Sequence, residues 1–154
     1  MPTTIYMKKA QNLGRAIDIA IEVVKKNPPK DYDQSHINHF IETYLDLKEM
    51  ALNPKPEFAT TKSLAYLIDD VFTYFQEGTG EDVNIFWQEI KKAELPYKRE
   101  NKLSKIFKRK RIKNQREYDL VIDTMIPYQQ LGLIDDADII VLNKFISDFE
   151  QKHK

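Results

Sequence analysis

Residues 64–75 read LAYLIDDVFTYF, and the spacing of their apolar side chains decides the fold class. Leu64, Leu67, Ile68, Val71, Phe72 and Phe75 fall at i, i+3, i+4, i+7, i+8 and i+11. At 3.6 residues per turn, this spacing lays all six on one broad face of a helix. Gly78 is expected to close that helix, as glycine does at the first residue past a helix end.

The same period extends on both sides. Upstream, Asn53-Pro54-Lys55-Pro56 interrupts the chain, and before it Ile37, Phe40, Ile41, Tyr44, Leu47 and Ala51 predict a helix over 34–52 with Asp33 as its N-cap. Earlier still, Ala10, Leu13, Ile17, Ala20, Ile21 and Val24 form one stripe that ends at Asn27-Pro28-Pro29, predicting a helix over 4–26. Downstream, a Thr79-Gly80 turn leads to Val83, Phe86, Trp87, Ile90 and Ala93, a helix halted by Leu95-Pro96. So short a turn makes it an antiparallel neighbour of the preceding helix.

From about Glu100 a further helix starts, with Leu103, Ile106 and Phe107 on one face. Lys110 then falls in the apolar stripe and Ile112 opposite it, so the helix is expected to break near 110–113. Asn114 with Glu117 has the form of a capping box at a new start, followed by Tyr118, Val121, Ile122 and Met125, with Pro127 expected to kink or end the helix. Gly132 and Asp135 mark the last restart. Asp135, Asp136 and Asp138 place negative charge where it favours the helix dipole, ahead of Ile139, Leu142, Phe145, Ile146 and Phe149. Only Leu131–Ile134 is a candidate short strand. The expected architecture is all-α: a single domain over residues 1–154 with no internal boundary, an irregular bundle of six or seven amphipathic helices.

Composition narrows the chemistry. A chain of 154 residues is long enough to bury a real core. It has no cysteine, which excludes disulfides, thiolate nucleophiles and Cys-ligated metals. No apolar run approaches a spanning helix, and the N-terminal residues lack a secretory pattern, so a cytoplasmic location without membrane association is expected.

The metal candidate is Asp33-x-x-His36-x-x-His39-x-x-Glu42. Each three-residue step rotates about 60° backward, so the four groups spread across half a helix and cannot all meet one ion. His36 and His39 alone would need ligands from another segment, and the weaker alternative of a metal-dependent enzyme rests on them. The preferred expectation is that His36 borders the core and His39 is solvated. The acid pairs Asp18/Glu22, Glu42/Asp46 and Asp119/Asp123 read as solvated helix faces. An EF-hand loop from Asp135 fails because Ile140 and Ile146 stand where glycine and glutamate are needed. Gly78-Thr-Gly80 lacks the rest of a phosphate loop. No catalytic residue, cofactor or resident metal is expected.

Charge is the remaining signal. The 24 basic and 24 acidic residues cancel overall, yet Lys98 to Arg116 holds ten Lys or Arg against Glu100 alone. The window is +9 and the remainder −9. Lys102, Lys105, Lys108, Arg109, Lys110, Arg111, Lys113 and Arg116 are the candidate partner-binding residues. An acidic protein surface is the expected partner, since charge complementarity steers association. The alternative is a nucleic acid, with Tyr97 and Tyr118 stacking on bases, and a merely solvated basic face is the bland reading. The most concentrated charge, Lys108 to Lys113, is expected at an exposed junction between two helices.

Overall fold

Thr3 starts the first helix by accepting the Tyr6 amide on its side chain, which satisfies one of the four amides a helix leaves without partners. The structure, a computed structural model, describes residues 3–153. Helix α1 (Thr4–Lys26) buries ten residues from Tyr6 to Val24, a face wide enough to pack on three other helices. Those are α2 (Gln34–Leu52), α3 (Thr61–Glu77) and α4 (Glu81–Lys92). Then follow α5 (Ser104–Arg109), α6 (Gln115–Leu131) and α7 (Asp136–Lys152). The fold is all-α, with seven α-helices, one 3₁₀ turn at Pro56–Phe58 and no strand among the described residues. The chain groups into two compact units, one ending at Arg99 and one beginning at Glu100.

In the first unit, polar groups on aromatic rings tie helix to helix. Tyr6 donates its hydroxyl to the Ala51 carbonyl at 2.8 Å, in the last turn of α2, where carbonyls lack helical partners. Trp87 does the same for α3, donating its indole N–H to Phe75 O at 2.8 Å. Tyr44 donates to Val71 O at 2.7 Å, which with the edge-on contacts of Phe40 to Tyr74 and Phe75 sets α2 and α3 side by side and antiparallel. Gly78 caps α3 as expected but in an extended conformation, φ −81°. The demand for glycine is therefore space, not left-handed backbone: a Cβ there would lie 2.8 Å from the Tyr74 carbonyl oxygen.

Gly14 is the second position where glycine meets a neighbouring element. It is buried in mid-α1 facing Leu52, and a Cβ would stand 3.5 Å from Leu52 Cδ1, ordinary van der Waals contact. Gly14→Ala is therefore expected to raise the unfolding free energy by about 0.5–1 kcal/mol, the helix-interior difference between the two residues. Urea denaturation checks it, and a loss of stability would show that the helices cannot absorb the methyl group.

The second unit has its own core of Leu103, Ile106, Ile112, Val121, Tyr128, Ile134, Leu142, Phe145, Ile146 and Phe149. The expected break is present. Lys110 ends α5 in the left-handed conformation, φ 64°, and the redirected chain turns Ile112 inward to be buried. Pro127 neither ends α6 nor prevents its continuation to Leu131. Leu131–Ile134 is not a strand: Gly132, φ 78°, closes α6 while the Leu133 amide donates to Tyr128 O at 2.9 Å, a reversing cap. Ile122, expected in the apolar stripe, is exposed, because the buried line of α6 runs through Val121, Thr124 and Tyr128. The short α6–α7 turn makes these helices antiparallel, and Tyr118 stacks on Phe149 with ring centroids 5.2 Å apart.

Candidate interaction surface

Only six residues of α5 precede Lys110, so the basic segment forms a corner and not a continuous helix. One carboxylate organises that corner. Glu117 Oε1 accepts from Arg109 Nη1 at 2.7 Å and from the Lys113 amide at 3.0 Å, while Asn114 Oδ1 accepts the Glu117 amide at 2.9 Å. The expected capping box is therefore half-formed in its usual sense: Asn114 caps the helix, but the Glu117 side chain reaches one residue further back, to Lys113. Burial pushes the Glu117 carboxyl upward, and the hydrogen bonds and charges of Arg109 and Lys113 outweigh that to hold it below the usual glutamate range.

The eight candidate residues are not equivalent. Lys108, Lys110, Arg111 and Arg116 are exposed, and their side chains have no ion pair among the described residues; Lys113 is exposed beside them. Arg109 is turned to Glu117 and half-buried. Lys105 is exposed one turn before Arg109. Lys102 stands apart, half-buried with its amide on the Tyr128 hydroxyl at 3.3 Å, near the C-terminal end of α6. Arg116 lies twelve residues N-terminal to Tyr128, about 18 Å along that helix. Lys152, which the sequence reading passed over, lies in the last turn of α7, at the same end as Arg116 because α7 runs back along α6. Asp135, Asp136 and Asp138 sit at the opposite end, where Asp135 and Asp138 form a reciprocal capping box. Charge in this unit is thus polarised along the helix pair.

The base-stacking expectation meets engaged rings. Tyr118 has one face on Phe149 and its hydroxyl on Glu150 at 3.3 Å. Tyr97 packs on Phe72 at 4.5 Å, and burial pushes its phenol up to about 12. Arg99, in the same basic run, is buried with Nη1 donating to Asn84 Oδ1 at 2.9 Å.

His36 does not border the core. It is exposed, stacks on Tyr32, and its Nδ1 lies 2.9 Å from Asp33 Oδ1 in a capping box, where the His36 amide holds the Asp33 carboxyl below its usual range. His39 is exposed. Among the described residues no three His, Cys, Asp or Glu gather where they could hold a metal ion.

Two features lay outside the sequence reading. Asp82 is buried in the first turn of α4 and accepts the Tyr74 hydroxyl at 2.6 Å. Burial, then the Asp82 carboxylate, drives the Tyr74 phenol far above its usual range. The second is an open groove of about 550 Å³ at the α2–α3 turn, lined by Met50, Phe58, Tyr66 and Leu67. Its signal was in the sequence: Met50 and Tyr66 are apolar or aromatic residues that fall off the stripes of their helices.

Comparison of the chain with protein-family models, curated proteins and solved structures gave no match. Among the described residues no helix is long and apolar enough to cross a membrane.

Proposed function

We propose that this chain is a non-enzymatic interaction protein that binds an acidic protein surface through the corner formed by Lys108, Lys110, Arg111, Lys113 and Arg116. One observation supports the reading above others: four of those cations are exposed without an ion pair at a junction whose backbone a single carboxylate orders. Free charges on an ordered backbone lose little on binding and attract a partner of opposite sign. Nucleic acid stays the second reading for the same cations, with weaker support because Tyr97 and Tyr118 pack on their own unit and α5 is too short for a helix-turn-helix. The cytoplasm as the place of action belongs to the same proposal, and cell fractionation tests it.

The Lys108→Glu/Lys110→Glu/Arg111→Glu/Arg116→Glu variant is the test. Binding to fluorescent poly-glutamate and to a mixed-sequence RNA of equal charge is followed by anisotropy as salt is raised. The wild type is expected to bind the acidic peptide at least about tenfold more tightly than the variant, with affinity falling as salt screens the contact. Affinity capture from the source cell should then lose acidic proteins in the variant. Equal binding by variant and wild type overturns the reading, and tight binding of RNA alone moves it to the second.

A further inference from the structure

The groove at the α2–α3 turn is an open, mostly apolar concavity lined by no residue of the basic corner. Met50, Phe58 and Tyr66 are 53%, 55% and 64% exposed around it. Three such side chains converging on one concavity are an unusual amount of apolar surface to leave in water. Their surroundings are acidic. Residues 34–77 hold seven Asp or Glu against three Lys, and one of those lysines, Lys48, is already paired with Asp18 at 2.8 Å. Within the lining, Glu49 and Lys55 offset each other. Beyond it, Asp46 precedes Met50 by four residues on α2, and Asp70 follows Tyr66 by four on α3. Each acid is therefore about 6 Å, one turn, further along the flank that carries its apolar neighbour. Both are exposed, and neither has an ion pair among the described residues.

We propose that this groove binds a basic amphipathic helix supplied by a partner protein: apolar anchors enter between Met50, Phe58 and Tyr66, and cations one turn on meet Asp46 and Asp70. A helix repeats its side chains at the one-turn spacing that separates groove from acids, so one bound segment satisfies both. A free fatty acid or other amphipathic anion fits less well, because Asp46, Glu49 and Asp70 repel it against the attraction of Lys55 and Lys62. The basic segment of a second copy does not fit either. Its apolar residues Leu103, Ile106 and Ile112 are buried in its own core and offer no anchors. The site is separate from the basic corner and stands or falls independently of it.

Three labelled peptides of one length decide the matter by anisotropy: leucines at i, i+3, i+4 and i+7 with lysines one turn on along the same face at i+8 and i+11, the same residues scrambled, and the ordered peptide with glutamates replacing lysines. The ordered lysine peptide is expected to bind about tenfold or more tightly than both others. Tyr66→Ala and Met50→Glu should each weaken it about tenfold, and Asp46→Lys/Asp70→Lys should remove its preference over the glutamate peptide. All four positions are exposed, so circular dichroism should report an unchanged fold. Binding that ignores peptide order, or that survives Tyr66→Ala and Met50→Glu together, overturns the proposal. So does sedimentation showing a dimer that those substitutions dissociate, which would assign the groove to a second copy. Displacement of the peptide by octanoate at lower concentration than by unlabelled peptide would assign it to a small amphipathic anion.

Discussion

Phe75→Ala is expected to lower the unfolding free energy by about 3–5 kcal/mol, the usual range for removing a fully buried phenylalanine. Four aromatic rings meet at this position. Phe75 stacks on Phe86 at 3.8 Å, meets Phe40 and Tyr44 edge-on at 6.3 and 6.4 Å, and lies against Tyr74. These rings come from α2, α3 and α4, so truncation opens a void where three helices meet. Relaxation cannot fill it cheaply, because two of the four neighbouring rings are held by hydrogen bonds of their own: Tyr44 through Val71 O and Tyr74 through Asp82. Against a typical total of 5–15 kcal/mol the loss is large. Guanidinium unfolding followed by Trp87 fluorescence measures it, and Phe75→Leu, which leaves a smaller void, should cost clearly less. A Phe75→Ala loss below about 1 kcal/mol would mean that the helices close on the gap and that the aromatic cluster is looser than its geometry indicates.

That cluster also shows why the fold was legible in advance. Leu64, Val71, Phe72 and Phe75 are buried as their spacing requires, and α1 and α2 begin and end where cap and proline signals stand, because helix period and capping are local consequences of sequence. Even the phase error at Lys110 and Ile112 was readable, since an apolar residue on the wrong arc cannot be buried without a change of chain direction. What escaped depended on contacts between distant segments or on space. The conformation of Gly78 is set by the Tyr74 carbonyl, not by a left-handed turn. Asp82 looked like one more acid in a first turn, and only Tyr74 makes it a buried pair. His36, read as a core-bordering residue, is a capping partner because a local hydrogen bond to Asp33 competes with burial. Of the candidate corner, its charge and its exposed position followed from the sequence, whereas the different situations of Arg109 and Lys102 did not: one depends on where Glu117 points and the other on Tyr128.

The role of Glu117 leads to the second large effect. Glu117→Ala is expected to cost about 1.5–3 kcal/mol at neutral pH, the range for hydrogen bonds to a charged group that is largely withdrawn from water. Arg109 and Glu117 have side chains only 27% and 16% exposed, so this is not a freely solvated surface pair of negligible worth. Removing the carboxylate leaves the Arg109 guanidinium partly buried without its counter-charge and frees the Lys113 amide. The effect is linked to pH with a definite sign. Because the folded-state pKa lies below the ordinary value of 4.5, the stabilisation is present in full above 4.5 and is lost as pH falls through the folded value. The gap between wild type and Glu117→Ala should therefore be widest near neutrality and smaller at about pH 3, below the ordinary value, where part of that stabilisation is lost. Urea unfolding at the two pH values checks this, and a cycle with Arg109→Ala isolates the pairwise part. A gap that does not change with pH would show that Glu117 acts through packing alone. If the gap does close, the ordering of the junction depends on one ionised carboxylate. Acidification would then loosen the backbone between Arg109 and Asn114 while leaving every lysine and arginine of the corner charged, separating the corner's charge from its shape in one experiment.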